Sequence, residues 1–350
     1  MTDKLKRKCE LLIKNRESIM KGFKSEQKQM GIAAGLLYAG ADMEADVEKL
    51  KVCMEIMEAH TEVFSGFRKD VKLALLSKMA MSEDPEKYIA DVVTVSGMIG
   101  KGKKSDNAYT ILAAMLICDQ GKQNEAAAVI ERYEELMGRM EKTHPILTSS
   151  EDISYAMLLA LSGRNIDDVM EDMEEAGKYL KENGGLGAGK NALQGLSEVL
   201  ALTEGDMKNR CDRLAEICRI FKEKKLAFGK GTELGTLVPL LGIDEKPEVL
   251  VDEIIEAEEF LKKSKDFDGN SAGQENRLMF AAILVAECYG EKSLSNDNAV
   301  ISNAVAAIKT TRIALVVNAI TNILPGMLEG FASAGGGSGS SAGSVSANSV

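Results

Sequence analysis

ISYAMLLALSG (Ile153–Gly163) is followed, one residue later, by NIDDVMEDMEEAGKYLKEN (Asn165–Asn183). The first stretch is apolar nearly all the way round a helix, which calls for cover on several sides. The second carries one stripe, Ile166, Val169, Met170, Met173, Gly177 and Leu180, at three- and four-residue steps. Asp167, Asp168, Glu171, Asp172 and Glu174 point elsewhere, so this helix buries a single face.

The same alternation recurs at roughly 35–45 residues, the spacing of stacked helical hairpins. Apolar runs begin at Met30 (MGIAAGLLYAGA), Val71 (VKLALLSKMAMS), Ala108 (AYTILAAMLIC), Ala192 (ALQGLSEVLALTEG), Leu234 (LGTLVPLLG) and Leu278 (LMFAAILVAEC). Charged amphipathic helices are predicted at about 4–23, 45–65, 86–99, 124–141, 166–182, 207–224 and 247–264. Punctuation agrees: Pro85 and Pro247 stand where a first helical residue would, and Asn165 can cap the helix after it. Ser149 with Asp152, or Thr148 with Glu151, has capping-box-like spacing before Ile153. Gly121, Gly163, Gly205 and Gly290 fall just past apolar runs, where a left-handed cap is wanted. No stretch alternates with period two. The expected fold is all-α: stacked αα-hairpin repeats forming an α-solenoid, either open or closing toward an α/α toroid.

Residues 1–290 are thus expected to form one helical-hairpin repeat domain, because each hairpin touches mainly its neighbours and a single core can lengthen with the stack. Residues 291–332 read as a C-terminal apolar helical segment, interrupted by Lys309, Arg312, Asn318 and Asn322 and broken by Pro325. Its longest uncharged stretch, Ile313–Leu328, is too short and too polar for a membrane span. A terminal helix pair is the segment's plain reading, and self-association through 299–328 its alternative. Residues 333–350 form a Gly/Ser-rich tail expected to be disordered.

A net charge of −11, with Lys and Arg dispersed among acids, argues against a nucleic-acid partner. Aromatic residues are only 5% and Trp is absent, while 18 methionines supply flexible filling for a core of Leu, Ala and Ile. Cys9, Cys53, Cys118, Cys211, Cys218 and Cys288 are scattered without any CxxC, which excludes a disulfide frame and suits a reducing cytoplasm. The stretch MTDKLKRKCELLIKNRE has no apolar signal core.

Chemistry-bearing patterns are sparse. His60 and His144 are isolated from any HxxxH, HExxH or Cys/His cluster, so no metal, cofactor or catalytic residue is expected. GGLGAGKN (184–191) comes within one residue of the phosphate loop G-x-x-x-x-G-K-[ST]. Asn191 stands where the magnesium-binding hydroxyl belongs, however, and the segment before it is helical where that motif needs a strand. Polar residues beside the apolar runs are better binding candidates, since a hairpin stack presents the ends of that layer to a ligand. These are Arg68 and Asp70, then Asn191, Gln194 and Ser197, then Asn276 and Arg277.

SGFRKDVKLALL (Ser65–Leu76), THPILTSSEDISYAMLLALS (Thr143–Ser162), NALQGLSEVLAL (Asn191–Leu202) and NRLMFAAILVA (Asn276–Ala286) resemble an uncharacterised bacterial family, number four thousand and three in the domain-of-unknown-function series. The resemblance spans roughly positions 5–290 and implies a cytosolic all-helical protein; it supplies no activity, substrate or catalytic residue. A second likeness is to α/α-toroid enzymes such as prenyltransferases and terpene cyclases, because GGLGAGKNALQGLSEVLALTEG and DGNSAGQENRLMFAAILVAE set glycines ahead of apolar helices. Asp167-Asp168 lacks the later Asp that their DDxxD motif requires.

Three functions follow as expectations. The first is a non-enzymatic scaffold binding a protein or peptide on a concave face. The second is an α/α-toroid-like enzyme or small-molecule binder whose pocket is lined by the ends of the apolar helices. The third is a structural protein that self-assembles through 299–328.

Overall fold

The computed structural model describes residues 1–294, apart from 64, 102–106, 151, 184, 204, 227, 229–230 and 268–271. Most of the C-terminal segment 291–332, its 299–328 portion and the tail 333–350 lie outside the described residues. The described chain is all-helical, without a strand.

Two kinds of helix alternate. The amphipathic set is α1 (Asp3–Gly22), α3 (Val47–His60), α5 (Pro85–Ile99), α7 (Ala126–Thr143), α9 (Ile166–Asn183), α11 (Met207–Glu223) and α12 (Pro247–Lys262). The buried set is α2 (Lys28–Gly40), α4 (Lys72–Met81), α6 (Ala108–Asp119), α8 (Asp152–Leu161), α10 (Lys190–Ala201) and α13 (Gln274–Leu294). The sixth apolar run departs from the expectation, for Thr232–Leu240 is a 3-10 helix with Pro239 inside it. Proline removes a backbone donor and clashes with the preceding turn, which denies this run an α-helical ladder.

The sequence signals act as read at most boundaries. The Asp84 side chain accepts from Lys87 N at 2.9 Å, with Pro85 opening α5. Asn165 Oδ1 accepts from Asp167 N at 2.8 Å at the start of α9. Gly163 ends α8 with φ 72°, a left-handed conformation that a side chain would strain. Gly290 departs from this pattern, because α13 continues through it to Leu294.

Each of α1, α3, α5, α7, α9 and α12 packs on the buried helix that follows it. Small residues allow close approach: a Cβ at Gly35 would lie 3.2 Å from Leu12 O on α1. Within the buried set, α2 touches α4, α6 touches α8, α8 touches α10, and Thr232–Leu240 bridges α10 to α13. The amphipathic helices pack in the same order, α1 on α3 through to α11 on α12. Finally α13 packs against α1 and α2, and α12 against α1.

Cations satisfy the carbonyl ends of the buried helices, where four oxygens of each helix have no intrahelical donor. Lys8, fully buried on α1, donates to Ala39 O and Gly40 O of α2, each at 3.2 Å, and pairs with Asp42 at 3.1 Å. Arg132 on α7 donates to Ala160 O and Arg164 O; Arg164 in turn reaches Ala201 O. Arg213 on α11 serves Ile243 O and Glu245 O. At the end of α6, Asp119 accepts from Tyr88 Oη at 2.9 Å and pairs with Lys78 at 3.0 Å. Burial raises the Asp119 carboxyl above its ordinary range against the pull of Lys78.

Candidate functional site

The connections that lead from an amphipathic helix into a buried one are mostly longer than those that lead back. They span 23–27, 61–71, 100–107, 144–151, 184–189, 224–231 and 263–273, against return connections such as 82–84 and 162–165. Contacts tie several of them to the neighbouring unit: Lys72 pairs with Glu26 at 2.5 Å, and Arg16 near the end of α1 pairs with Asp266.

Of the residues singled out from the sequence, Arg68 and Asp70 lie on the 61–71 connection, Asn191, Gln194 and Ser197 on α10, and Asn276 and Arg277 in the first turn of α13. Arg68 is half-buried and fastens its connection to the end of α3, with Nε 3.1 Å from Thr61 Oγ1 and Nη2 2.5 Å from the carbonyls of Glu58 and Thr61. Asp70, two residues on, is half-buried. Asn191 and Asn276 are exposed. Arg277 is buried: Nε lies 2.7 Å from Glu258 Oε1, and Nη1 donates to Phe267 O and Ala272 O. That arginine is spent on holding the 263–273 connection to α12 and α13.

Gln194 and Ser197 take part in a buried polar cluster. Asp152 Oδ2 accepts from Ser149 N at 2.6 Å, the reach-back half of a capping box that opens α8. Gln194 Nε2 donates to Glu198 Oε1 at 3.2 Å and lies 3.5 Å from Thr148 Oγ1, while Ser197 Oγ donates to Gln194 O at 2.7 Å. Glu198 has no exposed surface. Burial, and then the charge of Asp152, push its carboxyl well above the usual carboxylate range. Glu198 also shares a side-chain hydrogen bond with Asp152, so the cluster ties the start of α8 to α10. Among the described residues, no three His, Cys, Asp or Glu side chains come together as a metal would need.

An open cleft of about 950 Å³ lies beside the glycine-rich connection. Gly185, Leu186 and Gly187 form one wall, and α11 forms the other through Ala215 and Cys218. Gly185 and Gly187 have φ of 57° and 68°, so the glycines are needed for the path of this wall. Leu226 and Phe228 add apolar lining, with Phe228 stacked on Phe221 at 5.0 Å between ring centroids. Arg219, Lys222 and Lys225 stand around the cleft, together with Glu216 and Glu275.

Lys225 has φ 59°. It occupies the position just past α11 where Lys225 N donates to Lys222 O and Leu226 N to Phe221 O, a C-terminal motif that normally takes glycine. A lysine there costs about 1 kcal/mol. Burial pushes the Cys218 thiol up to about 12, so it brings no negative charge to the cleft.

Glu198, Lys222, Lys225 and Cys218 were not legible as a site. The near-miss to a phosphate loop falls on the connection beside this cleft, but α9 precedes it, Gly184 lies outside the described residues, and Lys190 and Asn191 do not line the cleft.

Among the described residues no helix is long and apolar enough to cross a membrane. Neither a curated protein nor a solved structure matches the chain. One family model does, over residues 15–319, and so starts later and runs further than the 5–290 span given to the resemblance. With most of its length matched, the chain belongs to the family described as protein of unknown function, DUF4003.

Proposed function

We propose that residues 1–290 form a closed ring of helical hairpins, an α/α toroid, that binds a small molecule at the end bearing its long connections. The observation that carries this reading is the cleft between residues 185–187 and α11, whose volume is in the range of small-molecule sites. The closure is supported by α13, which packs on both α1 and α2. An open stack would leave its first and last hairpins each with an uncovered side.

The reading is tested by purifying the full chain from the cells that make it and weighing it intact under native conditions. A bound small molecule that is absent from a Leu186→Trp variant, which fills the cleft, supports it. Chain recovered without any small molecule, or with one that Leu186→Trp retains, overturns it.

A protein-binding role has one observation in its favour. Val63 and Ile146, on the 61–71 and 144–151 connections, are 68% and 92% exposed, and Met98 at the end of α5 is exposed too. Since α5 packs on both α3 and α7, these three lie on successive units. A stoichiometric protein companion lost from a Val63→Ser/Met98→Ser/Ile146→Ser variant would favour that role instead.

A further inference from the structure

We propose that the cleft takes an amphiphile: an apolar body held over Leu186, Leu226 and Phe228, with a single anionic head held by Lys222 and Lys225. This inference rests on the cleft being the ligand site and adds the chemical class of its ligand.

Charge is the first argument. The protein carries a net charge of −11, yet three cations and two acids surround this cleft. Arg219 is paired with Glu223 on its own helix. Lys222 and Lys225 have no ion-pair partner among the described residues, while Glu223 is taken by Arg219 and Asp252 by Lys224. An anion arriving between them makes charge-assisted contacts without breaking an existing pair.

The second argument is the backbone at Lys225. Its left-handed conformation favours glycine, as at Gly121 and Gly163 after other helices, and the ammonium-bearing side chain is kept there at a cost in stability. Asp42 and Lys101 hold the same conformation, but Asp42 pairs with Lys8 and Lys101 with Glu134, whereas Lys225 has no such partner among the described residues; a ligand head group supplies one. The third is the make-up of the lining, in which half-buried Leu226 and buried Phe228 stand with exposed Lys222 and Lys225. Such a surface matches a molecule with one apolar and one charged end.

Calorimetric titration of the full chain with octyl phosphate, octanoate and octyl glucoside tests the class. Both anions are expected to bind saturably, with affinity falling as salt is raised, and the neutral glucoside at least tenfold more weakly. A preference between phosphate and carboxylate identifies the head. Lys222→Gln/Lys225→Gln should weaken the anions about tenfold and leave the glucoside unchanged. Lys225→Gly is the decisive variant: it should raise Tm while weakening anion binding, a combination that general damage to the fold would not produce.

Equal binding of the neutral amphiphile overturns the anionic class while leaving the site in place. Anion binding that Leu186→Trp does not disturb overturns the site as well. Absence of saturable binding by either anion overturns the proposal.

Discussion

Arg277 Nε lies 2.7 Å from Glu258 Oε1, and each side chain is 5% exposed. The pair joins α13 to α12 and, through Phe267 O and Ala272 O, both to the connection between them. Removing one partner strands the other charge in the interior. Arg277→Met is expected to lower the unfolding free energy by about 3–5 kcal/mol. Arg277→Met/Glu258→Leu should recover most of that loss. Urea denaturation of the two variants checks both; equal losses would mean that the arginine's carbonyl contacts, rather than its charge, hold the joint.

Glu198 should give the protein a distinctive pH response. Its folded pKa is raised above the unfolded value, so its contribution is fully present below the ordinary carboxylate range and is lost as pH rises through the folded value. Within that window the folded state binds the additional proton, and stability falls by up to about 1.4 kcal/mol per pH unit. Glu198→Gln is expected to flatten this slope. Melting curves of both proteins from about pH 5 to about pH 8 show it; parallel curves would mean that the folded carboxyl titrates like an exposed one.

Capping gives a smaller and cleaner effect. Asp46 accepts from both Glu48 N at 3.0 Å and Lys49 N at 3.1 Å at the start of α3. Asp46→Ala should cost about 1 kcal/mol, and Asp46→Ser much less. Thermal unfolding of the pair measures the difference.

The thiols should be slow. Burial pushes Cys9, Cys118 and Cys218 up to about 12 and Cys211 up to about 11, leaving little thiolate near neutral pH. Iodoacetamide labelling followed by peptide mass mapping should leave these four unmodified in the folded protein and modify all of them in urea. Rapid labelling of Cys218 in the folded state would show that the cleft opens further than its half-buried thiol implies.

Much of the fold is legible in the sequence because helix burial imposes periodicity. The α9 stripe from Ile166 to Leu180 reads directly as one buried face: Ile166, Val169, Met173 and Leu180 are buried, Met170 and Gly177 are half-buried, and Ala176 is buried although it is not counted in the stripe. Pro85, Pro247 and Asn165 mark helix starts through local backbone chemistry that needs no tertiary context. Thr232–Leu240 was harder, because an apolar run carries hydrophobicity whatever its helix type, and Pro239 had to be weighed against that signal. The candidate site is less legible still. Glu198 reads as an ordinary polar position on α10, and only the fold brings it to Asp152, which appears from the sequence to be a cap alone. Lys222 and Lys225 look like the solvated end of α11, and nothing local tells which lysines will face a cleft.

The packing of α13 against α1 and α2 has a consequence for synthesis. As the chain leaves the ribosome, the amino-terminal pair has its proper neighbour on one flank only. The other flank stays greasy and uncovered until residues from Gln274 onward emerge. Nascent chains stalled before that point should therefore recruit chaperones at α1 and α2, and release from them should coincide with arrival of the final helix.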